Sequence, residues 1–166
     1  MTRPRAVLVG PPGAGKTTVG RLLAVHWDVT FRDTDADIER AAGKTIPEIF
    51  YDDGEAAFRA LETEAVRTAL AEHDGVLALG GGAVLAEETR ALLRDQHVVF
   101  LNVTLGPAAK RVGLARDRPV LALNPRASLH QLLEQRLPLY REVADREIDT
   151  SGSSPEDIVA LIAGGA

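Results

Sequence analysis

Residues 10–17 read Gly-Pro-Pro-Gly-Ala-Gly-Lys-Thr, a match to the pattern G-x-x-x-x-G-K-[ST]. Glycines at these positions let the backbone wrap tightly, so that successive N–H groups point inward at phosphate oxygens. A helix starting near Lys16 would add its positive end to that cradle. A lysine at 16 can reach the outer phosphates, and the hydroxyl of Thr17 is suited to Mg²⁺. The pattern implies nucleotide binding. It does not by itself separate a kinase from an ATPase or a GTPase.

A second group of reactive side chains is Asp33-Thr34-Asp35-Ala36-Asp37. P-loop proteins commonly hold Mg²⁺ through an aspartate at a strand end. The apolar run Val76–Leu79 ends in glycines, and Val98–Val103 is flanked by Asn102 and Thr104 without an acid. Only the run Val29–Arg32 leads directly into carboxylates, at the strand edge where ligands bind in open α/β sheets. Asp33 and Asp35 are two apart, so one can serve a metal and the other a substrate hydroxyl. The competing role is a helix N-cap, filled by Asp35 or Asp37. No N-K-x-D base-reading segment occurs, so a small-molecule kinase leads over a GTPase.

These groups must be positioned by regular elements. Ala6–Val9 is a short apolar run ending in glycine, the signature of a strand buried on both faces. Helical spacing continues over 16–25. Further strands are expected at Val29–Arg32, Val76–Leu79, Val98–Val103 and Glu147–Asp149. Helices are expected at Ala36–Ala42, Glu55–His73, Glu87–Arg94, Pro107–Val112, Ser128–Gln135 and Pro155–Ile162, with Pro138 bending or interrupting the chain just beyond the fifth of these. The Asp52-Asp53-Gly54 run reads as a turn and cap. Alternating strands and helices predict a parallel sheet covered on both faces. Arg59 and Glu62 fall at i, i+3 on the longest helix, so Glu62 can fix the guanidinium.

Composition narrows the classes. The chain has 166 residues, no cysteine, and 19 basic against 24 acidic residues for a net charge of -5. That length fits one domain and buries roughly 70% of the unfolded surface, without disulfides or a structural metal. No basic block tracks a phosphate backbone, so nucleic acid is not an expected partner. No apolar run approaches the roughly 18 residues of a membrane span. A soluble cytoplasmic protein is expected. His26, His73, His97 and His130 show no metal-ligand spacing, Trp27 reads as helix-end packing, and Phe50 and Phe58 as pocket or core residues.

Taken together, the P-loop, Asp33-Thr34-Asp35, Phe58-Arg59-x-x-Glu62, Gly80-Gly81-Gly82-Ala83, Arg118-Pro119 and Arg136-x-Pro138-x-Tyr140 resemble the shikimate kinase family. The match in order and spacing spans residues 6 to about 143. The P-loop is generic, whereas the combination is specific. The resemblance implies phosphoryl transfer from ATP to the 3-hydroxyl of shikimate, on the route to aromatic amino acids. It implies a single α/β domain of the nucleoside-monophosphate-kinase type, with a five-stranded parallel sheet in the order 2-3-1-4-5. It also implies a substrate-binding insertion at 34–61, a mobile lid at 113–125 and a monomer.

The family's roles carry over onto matching positions. Asp35 would hold the shikimate hydroxyl as base or orienter. Asp33 and Thr17 would serve Mg²⁺. Gly13, Ala14, Gly15, Lys16, Thr17 and Thr18 would cradle ATP, with Arg111 near the adenine. Arg59 and Arg136 would grip the substrate carboxylate, and Gly81 and Gly82 would offer it backbone N–H groups. Arg118 would reach ATP from the lid, with Arg116 as its competitor. Ser151-Gly152-Ser153-Ser154 stands where relatives often place a long polar side chain near the adenine. The arginine pair suits a small carboxylate bearing hydroxyls, because guanidinium forks match carboxylates bidentately. Gluconate or nucleotide kinases, and a regulatory nucleotide binder without catalysis, are the competing readings.

Overall fold

In the computed structural model, which describes residues 2–102 and 125–164, β1 (Ala6–Val9) is buried along its whole length. It is the middle strand, paired in parallel with β3 (Val76–Ala78) on one side and β4 (Val98–Asn102) on the other. A strand with neighbours at both edges and helices on both faces has no position for a polar side chain, which explains its unbroken apolar run. β2 (Phe31–Asp33) flanks β3, and β5 (Arg146–Asp149) flanks β4. The five-stranded sheet has the order β2-β3-β1-β4-β5, as expected, and every pair is parallel.

Successive side chains alternate between two cores. Ala6, Leu8, Val76, Ala78, Val99 and Leu101 pack under α1 (Lys16–Trp27) and the last helix, α7 (Pro155–Gly164). Val7, Val9, Leu77, Leu79, Val98 and Phe100 face the other way, under α4 (Glu55–Glu72), α5 (Glu87–Leu92) and α6 (Pro125–Val143). A third, small core of Ile38, Ile49 and Phe58 joins α2 (Thr34–Ala42) and α3 (Ile46–Asp53) to α4. Phe50 packs on Phe58 there, with ring centroids 4.8 Å apart. Trp27 closes α1, with the Arg5 guanidinium 4.2 Å above its ring.

Three local expectations need correction. Asp52 and Asp53 are the last residues of α3, where both pair with Lys44 at 3.3 and 2.8 Å, and Gly54 is the joint to α4. Helix α3 is nucleated by a reciprocal capping box between Thr45 and Glu48. Pro138 does not interrupt its helix: α6 runs from Pro125, inside the span expected as a lid, to Val143. Leu137, Leu139, Tyr140 and Val143 all pack into the second core, which outweighs the one backbone bond that proline removes. The cap of α2 is Asp33, whose side chain accepts from the Asp35 N–H at 2.9 Å; Asp37 instead pairs with Arg32 at 2.6 Å. The expected helix Pro107–Val112 and residues 113–124 lie outside the described residues. Among those described, no helix is long and apolar enough to cross a membrane.

Gly75, just before β3, shows how tightly the sheet edge is fitted. Its carbonyl accepts from Arg5 N–H at 2.8 Å, and the next N–H donates to the Thr30 carbonyl at 2.9 Å. A β-carbon at Gly75 would run into that Thr30 carbonyl and lie 3.0 Å from His73 Nε2. Neither backbone can retreat without breaking a sheet bond. Gly75→Ala should therefore lower unfolding free energy by about 1–3 kcal/mol, read as a lower midpoint in thermal or urea denaturation. An unchanged midpoint would mean that the β2 end yields freely.

Candidate active site

The register of the sheet brings the reactive segments to one edge. Asp33 is level with Ala78, and Ala78 with Leu8, so the segments after β1, β2 and β3 leave the sheet side by side. This is the C-terminal edge of a parallel sheet, beside the central strand where the order reverses.

After β1 the chain turns through Gly10. A β-carbon there would lie 2.5 Å from the Leu101 carbonyl of β4, so only glycine lets the loop pass so close. Helix α1 then begins at Lys16, with no side-chain cap and no acid in its first turn. Its positive end is left for an anion. Lys16 Nζ donates to the carbonyls of Gly10 at 2.7 Å and Pro11 at 3.1 Å, which holds the ammonium over the loop. Ala14 is buried beneath the loop and its N–H donates to Pro11 at 3.2 Å. Its methyl group packs into the core, so any contact of Ala14 with a phosphate is through its backbone.

Asp33 and Asp35 stand across from this loop. Gly13, Gly15, Lys16, Thr17 and Thr18 line one wall of an open cleft of about 340 Å³. Asp33, Asp35, Gly80 and Gly81 line the other. The buried Thr34 between the acids accepts from the Gly80 N–H at 3.3 Å, tying the end of β2 to the end of β3. Its role was not evident from spacing, because the partner lies 46 residues away.

Behind Gly80–Gly82 lies a charged cluster. A side chain at Gly80 would meet Asp35 Oδ1 at 2.5 Å and Glu62 Oε2 at 3.0 Å. Gly82 is covered by the Arg59 guanidinium so closely that no β-carbon fits. Arg59 Nη1 donates to Glu62 Oε1 at 2.8 Å, the i, i+3 pairing expected from the sequence. Glu62 is only 3% exposed. Burial pushes its carboxyl above the ordinary range; Arg59 opposes that, Asp35 adds to it, and Arg136 opposes it. Arg136 is 6% exposed, a burial that an arginine reaches only with partners. One neighbour is Tyr140, whose hydroxyl donates to the Gly81 carbonyl at 2.6 Å. Burial pushes that phenol up to about 12, so it stays protonated at neutral pH. Tyr140 stood in the R-x-P-x-Y pattern, but nothing in its spacing pointed to Gly81.

Arg59 over Gly82, with Arg136 near Glu62 and Tyr140, thus lies beside the cleft wall made by Gly80 and Asp35. Arg111, Arg116 and Arg118 lie outside the described residues. The Ser151–Ser154 segment is a polar turn in which Asp149 accepts from the Ser151 N–H at 2.8 Å.

The donors present suit Mg²⁺. It prefers oxygen ligands, keeps much of its water, and takes only one or two carboxylates beside substrate phosphates. Thr17 and Asp33 both line the cleft. Capping α2 uses one of the roughly four acceptor positions of the Asp33 carboxylate.

Comparison with known proteins agrees with this architecture. Residues 12–164 match the family model of shikimate kinase. The chain is 63% identical over 160 residues to the shikimate kinase of Saccharopolyspora erythraea, covering 96% of this chain and 91% of that protein. It is 58% identical over 162 residues to that of Thermobifida fusca, covering 98% and 94%. The solved shikimate kinase from Acinetobacter baumannii in complex with shikimate superposes with a TM-score of 0.92 at 39% identity, covering 99% of this chain and 95% of that one. The chain belongs to the shikimate kinase family.

Proposed function

We propose that the chain transfers the γ-phosphoryl group of ATP to the 3-hydroxyl of shikimate, giving shikimate 3-phosphate on the route to aromatic amino acids. The observation that carries this reading is the shared cleft. A phosphate loop and the Asp35, Gly80 and Gly81 segments line it together, with Arg59 beside Gly82 and Arg136 near Glu62. A similar enzyme from Acinetobacter baumannii is solved with shikimate.

ATP places its phosphates on the loop 10–18, at the start of α1. Lys16 exchanges its two loop carbonyls for phosphate oxygens. Thr17 and Asp33 hold Mg²⁺, which when bound neutralises charge on the phosphates. Arg59 and Arg136 grip the acceptor carboxylate, and the N–H groups of Gly81 and Gly82 fix its ring. Asp35 orients the 3-hydroxyl and accepts its proton as the oxygen bonds to γ-phosphorus and the bond to the ADP oxygen breaks. The residues at 113–125 close over the site, with Arg118 on the transferred group and Arg111 beside the adenine. Closure excludes water that would otherwise hydrolyse ATP. The unit acts in the cytoplasm, and as a monomer, the state that the family resemblance suggests.

The test is ATP consumption with Mg²⁺ against shikimate, gluconate, AMP and no acceptor. Turnover with shikimate alone is expected. Turnover with a different acceptor would keep the phosphate loop and refute the acceptor. ATP binding without turnover on any of them would favour a regulatory protein.

A further inference from the structure

The Gly81–Gly82 peptide is the link between the buried phenol of Tyr140 and the acceptor wall of the cleft. The unit is trans, so its C=O and N–H point in opposite directions. The Gly80 carbonyl accepts from the Ala83 N–H at 3.1 Å, but with glycine at both central positions that turn bond alone does not fix which way the middle peptide faces. The Tyr140 hydroxyl does so by donating to the Gly81 carbonyl at 2.6 Å. The Gly82 N–H must then point away from Tyr140, and among the described residues it meets no acceptor.

Tyr140 is itself held firmly. It is 1% exposed, and its ring stacks on Phe100 of β4 with centroids 4.9 Å apart. Arg136, one turn back on α6, is its charged neighbour. One phenol therefore holds the Gly81 carbonyl and stands beside an arginine of the acceptor clamp, while the Arg59 guanidinium covers Gly82.

We propose that Tyr140 is a positioning residue for the acceptor: through the Gly81 carbonyl it sets the direction of the Gly82 N–H, and through Arg136 it sets the clamp. This inference rests on the shikimate reading above. Tyr140 touches no reacting atom, so its effect is felt through the acceptor alone.

The experiment uses the full chain and Tyr140→Phe, which keeps the ring and its stacking and removes only the hydroxyl. Loss of one such bond should lower kcat/KM for shikimate roughly tenfold, with KM for ATP within twofold of the parent. A merely structural role would instead lower the thermal midpoint and leave shikimate KM unchanged in the folded fraction, which would overturn the inference. The second readout needs no variant. In the parent chain, the Gly82 amide should gain protection from hydrogen exchange when shikimate is added, and an amide that gains none overturns the proposal even if Tyr140→Phe fails to fold. Parent enzyme active on shikimate beside an unaltered Tyr140→Phe would refute the positioning role only. A parent inactive on shikimate would refute both readings.

Discussion

Asp35→Asn is expected to lower kcat with shikimate by roughly 10²–10⁴, the range that a positioned general base contributes. ATP affinity should be nearly unchanged. The substitution conserves shape and removes only the charge and proton-accepting capacity. It also spares the fold, because α2 is capped by the Asp33 side chain, and Asp35 supplies only its backbone N–H to that cap. Asp35 Oδ1 lies against Gly80, on the acceptor wall of the cleft and across from the phosphate loop. Steady-state turnover and calorimetric titration with a non-hydrolysable ATP analogue separate the two effects. A loss of analogue binding equal to the loss of turnover would move Asp35 to the nucleotide side. A drop in kcat under about threefold would leave the hydroxyl to be oriented by backbone alone, far below what a general base supplies.

What could be read from the sequence was local. The phosphate loop and the Gly80–Gly82 run follow apolar strands, and the Asp33–Asp35 pair stands at the end of a short strand, so the strand edge that presents them is visible in the order of residues. Arg59 and Glu62 were legible for the same reason, since helical spacing alone puts them together. The contacts that turn these segments into one site join positions far apart. Thr34 meets Gly80 across 46 residues, and Tyr140 meets Gly81 across 59. No periodicity encodes such pairs; they exist only once β2, β3 and α6 are packed. Helix α3 was missed because its eight residues fall short of a periodic pattern and its start depends on the capping box at Thr45 and Glu48. Pro138 misled in the opposite sense, because its helix is held by burial of its neighbours rather than by local propensity.

Arg136→Met, paired with a methyl ester of shikimate, should show whether the buried guanidinium and the acceptor carboxylate act as one unit. Methionine keeps length and apolar contact while removing charge and donors. A charged hydrogen-bonding contact in a desolvated site is worth about 1.5–3 kcal/mol. The variant should therefore lose on the order of 100-fold in kcat/KM for shikimate, at most slightly altering KM for ATP. The parent enzyme should lose a similar factor when offered the ester. The decisive figure is the fourth corner of the cycle, the variant acting on the ester. If the two groups bind each other, the second removal costs little more once the first is made. If the losses simply multiply, on the order of 10⁴ in all, Arg136 and the carboxylate do not meet. Arg136 is the better arginine for this cycle than Arg59. Glu62 keeps its 2.8 Å partner when Arg136 is replaced, whereas removing Arg59 would strand a buried carboxylate beside Asp35 and mix a folding defect into the kinetics.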